Sequence, residues 1–122
     1  MKKIFSILLS CIFIFALVGC GENKEKKIDT TNIEKSFKHN LTTLDLDYVE
    51  VIECTEDNEI HLKVDVAYKN EMLNEGVVNA ITKLTQKEFD KEYKNIKLKI
   101  IQEKPFDFIK YNYSNGKWNR EN

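Results

Sequence analysis

Apolar and polar residues alternate most regularly between Glu59 and Tyr68, where every even-numbered residue from Ile60 onward is apolar. Successive side chains of a β-strand point to opposite faces, so this period of two predicts a strand with one buried face. Residues 44–54 carry apolar side chains at both parities. They predict a second strand that is covered at least partly on both sides. The polar residues 55–58 form a four-residue turn that joins the two strands as a hairpin.

The region before this hairpin has the period of an α-helix. Ile33, Phe37 and Leu41 are spaced four residues apart and therefore lie on one helical face. The sequence Thr-Asn-Ile-Glu at 31–34 fits a capping box, in which the threonine oxygen and the glutamate carboxylate satisfy the first backbone amides. These features predict a short helix over 32–40.

A longer apolar stripe follows the hairpin. Asn70 is a suitable N-cap residue, and the next residue, Glu71, is favourably placed against the positive end of a helix dipole. The pattern predicts the main helix over 71–93. The stripe consists of Leu73, Val77, Ala80, Ile81 and Leu84.

Strand-like alternation returns after this helix, at 96–100 and again at 106–113. The Asn-Gly pair at 115–116 is a strong signal for a two-residue hairpin loop. Such a loop sets Tyr113 opposite Trp118, which is a favourable aromatic pair.

Taken together, the elements predict the α+β class, with the order α-β-β-α-β-β and an optional last strand. We expect one long helix packed on a mainly antiparallel sheet, since hairpins with one helix on one face give the simplest closure. The length of the chain leaves room for one such domain, over 31–122.

The first twenty residues have a different character. A short positive start, Met1 to Lys3, precedes an uncharged and mostly apolar run at 4–18. This run is shorter than the about 20 apolar residues that a transmembrane helix needs, and it is typical of a secretory signal. It ends in Leu17-Val18-Gly19-Cys20. This segment resembles the lipobox of bacterial prolipoproteins, which has an aliphatic residue, a small or aliphatic residue, a small residue and an obligatory cysteine.

The resemblance implies where the protein is located and how it is held there. A diacylglyceryl group is attached to the Cys20 thiol, and a signal peptidase cuts between Gly19 and Cys20. Residues 1–19 are then the signal peptide. Residues 20–30, charged and nearly free of apolar side chains, are predicted to be a flexible tether. The domain is thereby expected at the extracytoplasmic face of the cell membrane, with the membrane as a partner through the lipid.

Charge and composition narrow the partners. Loss of Lys2 and Lys3 with the signal changes the formal net charge from −1 to −3, which argues against nucleic acid as a ligand. Acidic residues concentrate at 45–59 and lysines at 83–110, so the domain is predicted to be dipolar. All basic residues except Arg120 are lysines. This bias suggests an AT-rich genome and, with the lipobox, a Gram-positive source.

Catalytic and metal-binding patterns are weak. His39 and His61 are interpreted as exposed titratable residues, with no nucleophile motif beside them. The acidic run at 45–59 lacks the spacing of a calcium loop and is interpreted as a solvated face. Cys54 lies among acids, so a small buried hydrophobe is favoured over a reactive thiol or an intermolecular disulfide. We therefore expect no enzyme activity, no cofactor and no metal.

The aromatic residues of the last quarter are the best candidates for a binding surface. Residues Phe106 and Phe108 oppose the tyrosines of the same predicted strand in parity, so the strand cannot bury all of them. We assign a candidate binding face to Tyr111, Tyr113 and Trp118. The expected function is a binding or interaction module for an envelope protein or glycan. An envelope enzyme or its accessory subunit, and a structural spacer or immunity-type protein, remain alternatives.

Overall fold

A computed structural model describes residues 24–121, which form a six-stranded sheet and two helices. In chain order the elements are β1 (Lys24–Lys27), α1 (Thr31–Asn40), β2 (Leu46–Glu56), β3 (Glu59–Tyr68), α2 (Glu75–Phe89), β4 (Ile96–Glu103), β5 (Phe106–Ser114) and β6 (Lys117–Arg120). The strands lie in the sheet in the same order as in the chain. The predicted α+β class with a mainly antiparallel sheet is confirmed.

One neighbouring pair of strands, β3 and β4, is parallel, whereas the other four pairs are antiparallel. Parallel neighbours need a crossover connection, and α2 with its flanking loops supplies it. The register sets Leu62 beside Ile96 and Val64 beside Leu98. The arrangement is therefore a mixed sheet rather than a plain series of hairpins.

The hydrophobic core lies on one side of the sheet, between the strands and both helices. Ile33 and Phe37 enter it from α1, and Val78, Ile81 and Phe89 enter it from α2. We call this side of the sheet the covered face. Its buried apolar strand residues are Val49, Val51, Leu62, Val64, Val66, Tyr68, Ile96, Leu98, Ile100 and Tyr113.

Strand β2 has buried residues on both of its sides, as predicted. Val49 and Val51 belong to the covered face, and Cys54 is buried on the opposite side between β1 and β3. An irregularity between Leu46 and Tyr48 shifts the register at the start of the strand. Tyr48 lies on the opposite side to its neighbour Val49 by ordinary strand alternation and is among the most exposed apolar side chains.

The predicted tether is wrong for four of its residues. Lys24–Lys27 forms β1, an edge strand paired with residues Ile52 to Thr55 of β2. All four of its residues are exposed, so the strand is held by backbone pairing and needs no apolar side chain. Ile28 continues the contact by donating its backbone N–H to the carbonyl of Val51 at 2.9 Å.

Helix α1 closely matches its prediction, but its N-terminal cap lies one residue earlier. Thr30 is the N-cap residue, and its hydroxyl donates to Oε2 of Glu34 at 2.6 Å. The glutamate therefore reaches back, as in a capping box, to a side chain rather than to an amide. Thr31 donates its backbone N–H and its hydroxyl to Asp29, which lowers the pKa of that carboxyl.

Helix α2 is shorter than the predicted 71–93 at both ends, and a long-range contact explains its later start. The buried side chain of Gln102 on β4 accepts hydrogen bonds from the backbone N–H groups of Met72 and Leu73 at 2.9 and 3.1 Å. These bonds hold the segment before the helix in a non-helical path. Asn74 then serves as the N-cap residue, with Oδ1 accepting from the amide of Val77 at 3.0 Å.

Two tight turns complete the sheet. Asn115 and Gly116 have φ values of 54° and 76°, which confirms the predicted two-residue hairpin. The four-residue turn predicted at 55–58 is wrong, because Asp57 and Asn58 alone make it, with φ values of 51° and 67°. Asp and Asn tolerate this left-handed conformation better than other non-glycine residues.

Candidate functional site

The side of the sheet opposite the helices is the candidate site, and we call it the open face. The register brings one apolar residue from each of four strands into a single row: Tyr48, Ala67, Ile101 and Phe108. Ala67 and Ile101, in the middle of the row, are buried, although no helix among residues 24–121 packs on them. The side chains at the two ends of the row therefore define the accessible apolar surface.

Two aromatic side chains dominate that accessible surface. Phe106 is 68% exposed and Tyr48 is 43% exposed. The Phe106 ring lies beside Phe108, with 6.0 Å between the ring centres. Phe106 and Phe108 thus form an accessible aromatic pair on β5, and Tyr48 lies three strands away on the same face.

Lysine side chains occupy the centre of the open face, and we call them the lysine block. The parallel register sets Lys63 beside Lys97, and the antiparallel register sets Lys99 beside Lys110. The block surrounds a shallow hollow of about 290 Å³. The lining of that hollow comprises Lys63, Asp65, Lys97, Leu98, Lys99, Lys110, Tyr111 and Glu121.

Asp65 is the carboxylate closest in register to the lysine block, directly beside Lys99. Burial raises the pKa of the Asp65 carboxyl, while the charges of Lys63 and Lys99 act in the opposite direction. Glu50, on the other side of Asp65, forms an ion pair with Lys27 at 3.7 Å. Of these two neighbouring acids, Glu50 is therefore paired with Lys27 on β1, whereas Asp65 is partly desolvated beside the lysines.

Two carboxyl groups meet near the aromatic end of the open face. A hydrogen bond with Asp47 raises the pKa of the Glu103 carboxyl, and the smaller effects of desolvation and of the Asp47 charge act in the same direction. The lysines at 69 and 104 oppose this shift. The pair lies at the surface, so water screens it, and it lacks the desolvated setting of a catalytic acid.

A larger cleft, of about 490 Å³, lies at the end of the sheet where β4 begins later than its neighbours. His61 lines it with a side chain that is only 17% exposed, and its Nε2 lies 3.8 Å from Oε1 of Glu56. The sequence interpretation of His61 as an exposed residue is therefore wrong. Glu56, two residues along β2 from the register partner of His61, is its near neighbour on the same side of the hairpin.

The aromatic residues chosen from the sequence lie on the covered face. Tyr113 is buried at 7% exposure, and the Trp118 ring packs on it with 5.0 Å between centres. The indole Nε1–H of Trp118 donates to Oε1 of Gln86 on α2 at 3.2 Å. Tyr111 makes an edge contact with the same ring at 6.4 Å. These side chains extend the core against α2, whereas residues Phe106 and Phe108 point to the open face.

Parity alone divides these aromatics into two groups but does not say which group the helix covers. The residues of β4 that lie beside these aromatics in the sheet show which side is buried, and the assignment made from the sequence did not use them. Ile100 and Leu98 share the side of Ile109 and Tyr111, and both belong to the core. Four lysines, by contrast, occur on the side of Phe108. The clustering of charge thus identifies the open face once the register is known.

Cys54 and Tyr93 illustrate polar groups that serve the structure. Cys54 is a buried free cysteine, as expected, and burial, followed by the charge of Glu25, raises the pKa of its thiol. This setting disfavours the reactive thiolate. Tyr93 donates its hydroxyl to Oε1 of Glu53 at 2.6 Å, and desolvation together with this carboxylate raises its pKa to about 12.

Within residues 24–121, no three His, Cys, Asp or Glu side chains are grouped closely enough to hold a metal ion. Neither of the two helices in that range has the length and apolar character to cross a membrane. The predicted lipidation residue Cys20 and cleavage residue Gly19 lie outside the described residues.

Comparison with known proteins places the chain in no family: no family model, no curated protein and no solved structure matches it.

Proposed function

We propose that the chain is a lipid-anchored extracytoplasmic protein that acts as a binding module at the cell envelope, with the open face as its contact surface. The lipobox-like segment ending at Cys20 supports the anchor. The partner is an envelope protein or glycan, and the role is binding rather than catalysis. The pair of exposed aromatics, Phe106 and Tyr48, is the observation that carries the proposal.

The position of β1 supports a module held close to its membrane. Only three residues lie between Cys20 and Lys24, the first residue of β1, so four Cα-to-Cα steps join the two. Four residues of fully extended chain reach at most about 14 Å. Lys24 pairs with Thr55, near the turn between β2 and β3, so that end of the sheet would lie nearest the anchor.

Site-specific photo-crosslinking in cells tests the contact surface. A benzophenone side chain replaces Phe106 in the full chain, and a matched protein carries it at Ile60, which is 50% exposed but lies at the cleft end. We expect a dominant adduct from position 106 and none of the same size from position 60. Protease digestion of the adduct distinguishes a protein partner from a glycan.

Two results would contradict the proposal. The first is an absence of adducts from position 106 and from a benzophenone at Tyr48. The second is an identical set of adducts from positions 106 and 60, since it would indicate random collision. The anchor is tested separately: Cys20→Ala should abolish labelling with radioactive palmitate, and a mutant that is still labelled would exclude Cys20 as the lipidated residue.

A further inference from the structure

We propose that the lysine block on the open face is a binding site for a phosphate group. The first argument is the placement of like charges. Lys63 lies directly beside Lys97 in the parallel register, and Lys99 lies directly beside Lys110 in the antiparallel register. Neighbouring strands are only about 4.8 Å apart, and like charges in such positions destabilise a sheet. An anion between them converts this repulsion into attraction.

The second argument is the balance of charge around the hollow. Its lining contains four ammonium groups and two carboxylates, those of Asp65 and Glu121. The Glu121 carboxylate accepts a hydrogen bond from the side-chain amide of Asn112, and the lysines outnumber the two acids. Among residues 24–121, no ion pair within 4.0 Å joins Lys63, Lys97 or Lys99 to a carboxylate. The hollow therefore remains cationic.

The third argument is the orientation of two of the lysines. The Nζ atom of Lys99 lies 4.8 Å from the centre of the Phe108 ring, and that of Lys110 lies 5.8 Å from it. Such cation–π contacts hold ammonium groups over the ring and restrict their rotamers. Two of the four side chains therefore have restricted rotamers before a ligand arrives, which reduces the entropy cost of ordering them.

Phosphate fits this arrangement better than a carboxylate does. Each lysine presents a compact ammonium group with three N–H donors, and the four groups surround the hollow from three strands. A phosphate group carries up to two charges and offers oxygen acceptors in several directions, so it can accept from more than two lysines at once. A planar carboxylate has one charge and two oxygens.

The inference deepens the proposed function and rests on it in taking the open face as the contact surface. It adds a phosphate group as a further ligand of that surface, carried either by a lipid headgroup or by a soluble or polymeric phosphate of the envelope. The same lysines would contact either source.

Lysine acetylation followed by mass spectrometry tests the site on the full-length chain in nonionic detergent. The probe is inorganic phosphate, compared with sodium chloride at the same ionic strength. We expect phosphate to slow acetylation of the lysine block and to leave Lys83 and Lys87, exposed on α2, unchanged. Equal slowing by chloride, or equal slowing at these two lysines, would overturn the proposal.

A double variant sharpens this experiment. In the variant with Lys97→Gln and Lys99→Gln, the phosphate concentration that gives half-maximal protection of Lys63 should rise about tenfold. The reason is that the two substitutions remove charge-assisted hydrogen bonds. The matched control, Lys83→Gln with Lys87→Gln, should behave as the unchanged protein. Unchanged protection in the first variant would overturn the site. Lys110→Gln repeats the measurement if circular dichroism reveals that the double variant is unfolded.

The source of the phosphate is distinguished by a second arm. The chain is placed in nanodiscs of phosphatidylglycerol without added phosphate, and protection of the block there supports a headgroup. Protection by glycerol phosphate in detergent, without protection in nanodiscs, supports a soluble or polymeric source. Phosphate protection with no adduct from position 106 would overturn the proposed function alone, whereas an adduct without protection would overturn this inference alone.

Discussion

The two faces of the sheet are built from alternate residues of the same strands, yet they differ in almost every physical property. On the covered face Leu62, Val64 and Val66 are fully buried beneath the helices. One residue along, Lys63 and Asp65 belong to the open face and its lysine block. The covered face is therefore arranged for packing. The open face combines opposed lysines and accessible aromatic rings, which packing does not require.

Polar groups make the same distinction. On the covered face Gln102 is buried and uses both ends of its amide: Oε1 accepts from two backbone N–H groups, and Nε2 donates to the carbonyl of Pro105 at 2.7 Å. Thr85 likewise donates to the carbonyl of Ile81 at 2.8 Å. On the open face, Lys99 and Lys110 instead contact the Phe108 ring through their ammonium groups. The difference teaches that parity along each strand separates side chains fixed by packing from side chains accessible to solvent.

The largest predicted difference in stability is between replacement of a core phenylalanine and replacement of an exposed one. Phe37→Ala should lower the free energy of unfolding by about 3–5 kcal/mol, because the ring fills the space between α1 and the covered face. Phe106→Ala on the open face should change it by less than about 0.5 kcal/mol. Chemical denaturation of the full chain measures both. Similar losses for the two variants would break the distinction between the faces.

The next effect concerns the buried amide. Gln102→Ala should lower the free energy of unfolding by about 2 kcal/mol, because the backbone N–H groups of Met72 and Leu73 lose their acceptor while still largely buried. Asn119→Ala, at an exposed position on β6, serves as the control. A loss no larger than that of the control would mean that water replaces the amide, and that α2 begins at Glu75 for another reason.

A smaller effect of the opposite sign is expected at Tyr68. Its hydroxyl is the one buried side-chain polar atom within residues 24–121 that has no hydrogen-bond partner, and desolvation raises its pKa to about 12. Tyr68→Phe should therefore leave stability unchanged or raise it by up to about 1 kcal/mol in thermal unfolding. A clear loss of stability would indicate that a buried water satisfies the hydroxyl.

On the open face, removal of one opposed charge should stabilise the domain slightly. Lys97→Gln relieves the repulsion from Lys63 and should raise the free energy of unfolding by about 0.3 kcal/mol at low salt. The gain should disappear at high salt, because exposed charges are then screened. Denaturation at two salt concentrations checks it. A loss of stability at low salt would contradict the account of the lysine block.

The last effect depends on pH and isolates Asp65. Burial raises the folded-state pKa of this carboxyl above 3.8, so the folded state binds its proton more tightly than the unfolded state does. The resulting stabilisation is complete below the unfolded-state pKa and is lost as pH rises through the folded-state pKa. As pH rises between these two pKa values, the free energy of unfolding should therefore fall less in the Asp65→Asn variant than in the unchanged protein. An identical pH profile for both proteins would argue against desolvation of Asp65.

Several features follow from the sequence because they depend on neighbouring residues alone. The strict alternation at Glu59–Tyr68 predicts β3 with its observed bounds. The Asn115-Gly116 pair predicts the last turn, because both residues adopt positive φ at low cost. Helix α1 follows from the four-residue spacing of the apolar side chains Ile33 and Phe37. The lipid anchor at Cys20 stays a prediction from the sequence.

Other features were decided only by the tertiary structure. Backbone pairing turns Lys24–Lys27 into a strand although its side chains carry no apolar signal. A contact from Gln102, about thirty residues away, delays the start of α2. Parity separates Phe108 from Tyr113, but the helix packed above the sheet decides which of them is buried. Local periodicity assigns residues to sides of a strand, and only long-range packing determines which side faces water.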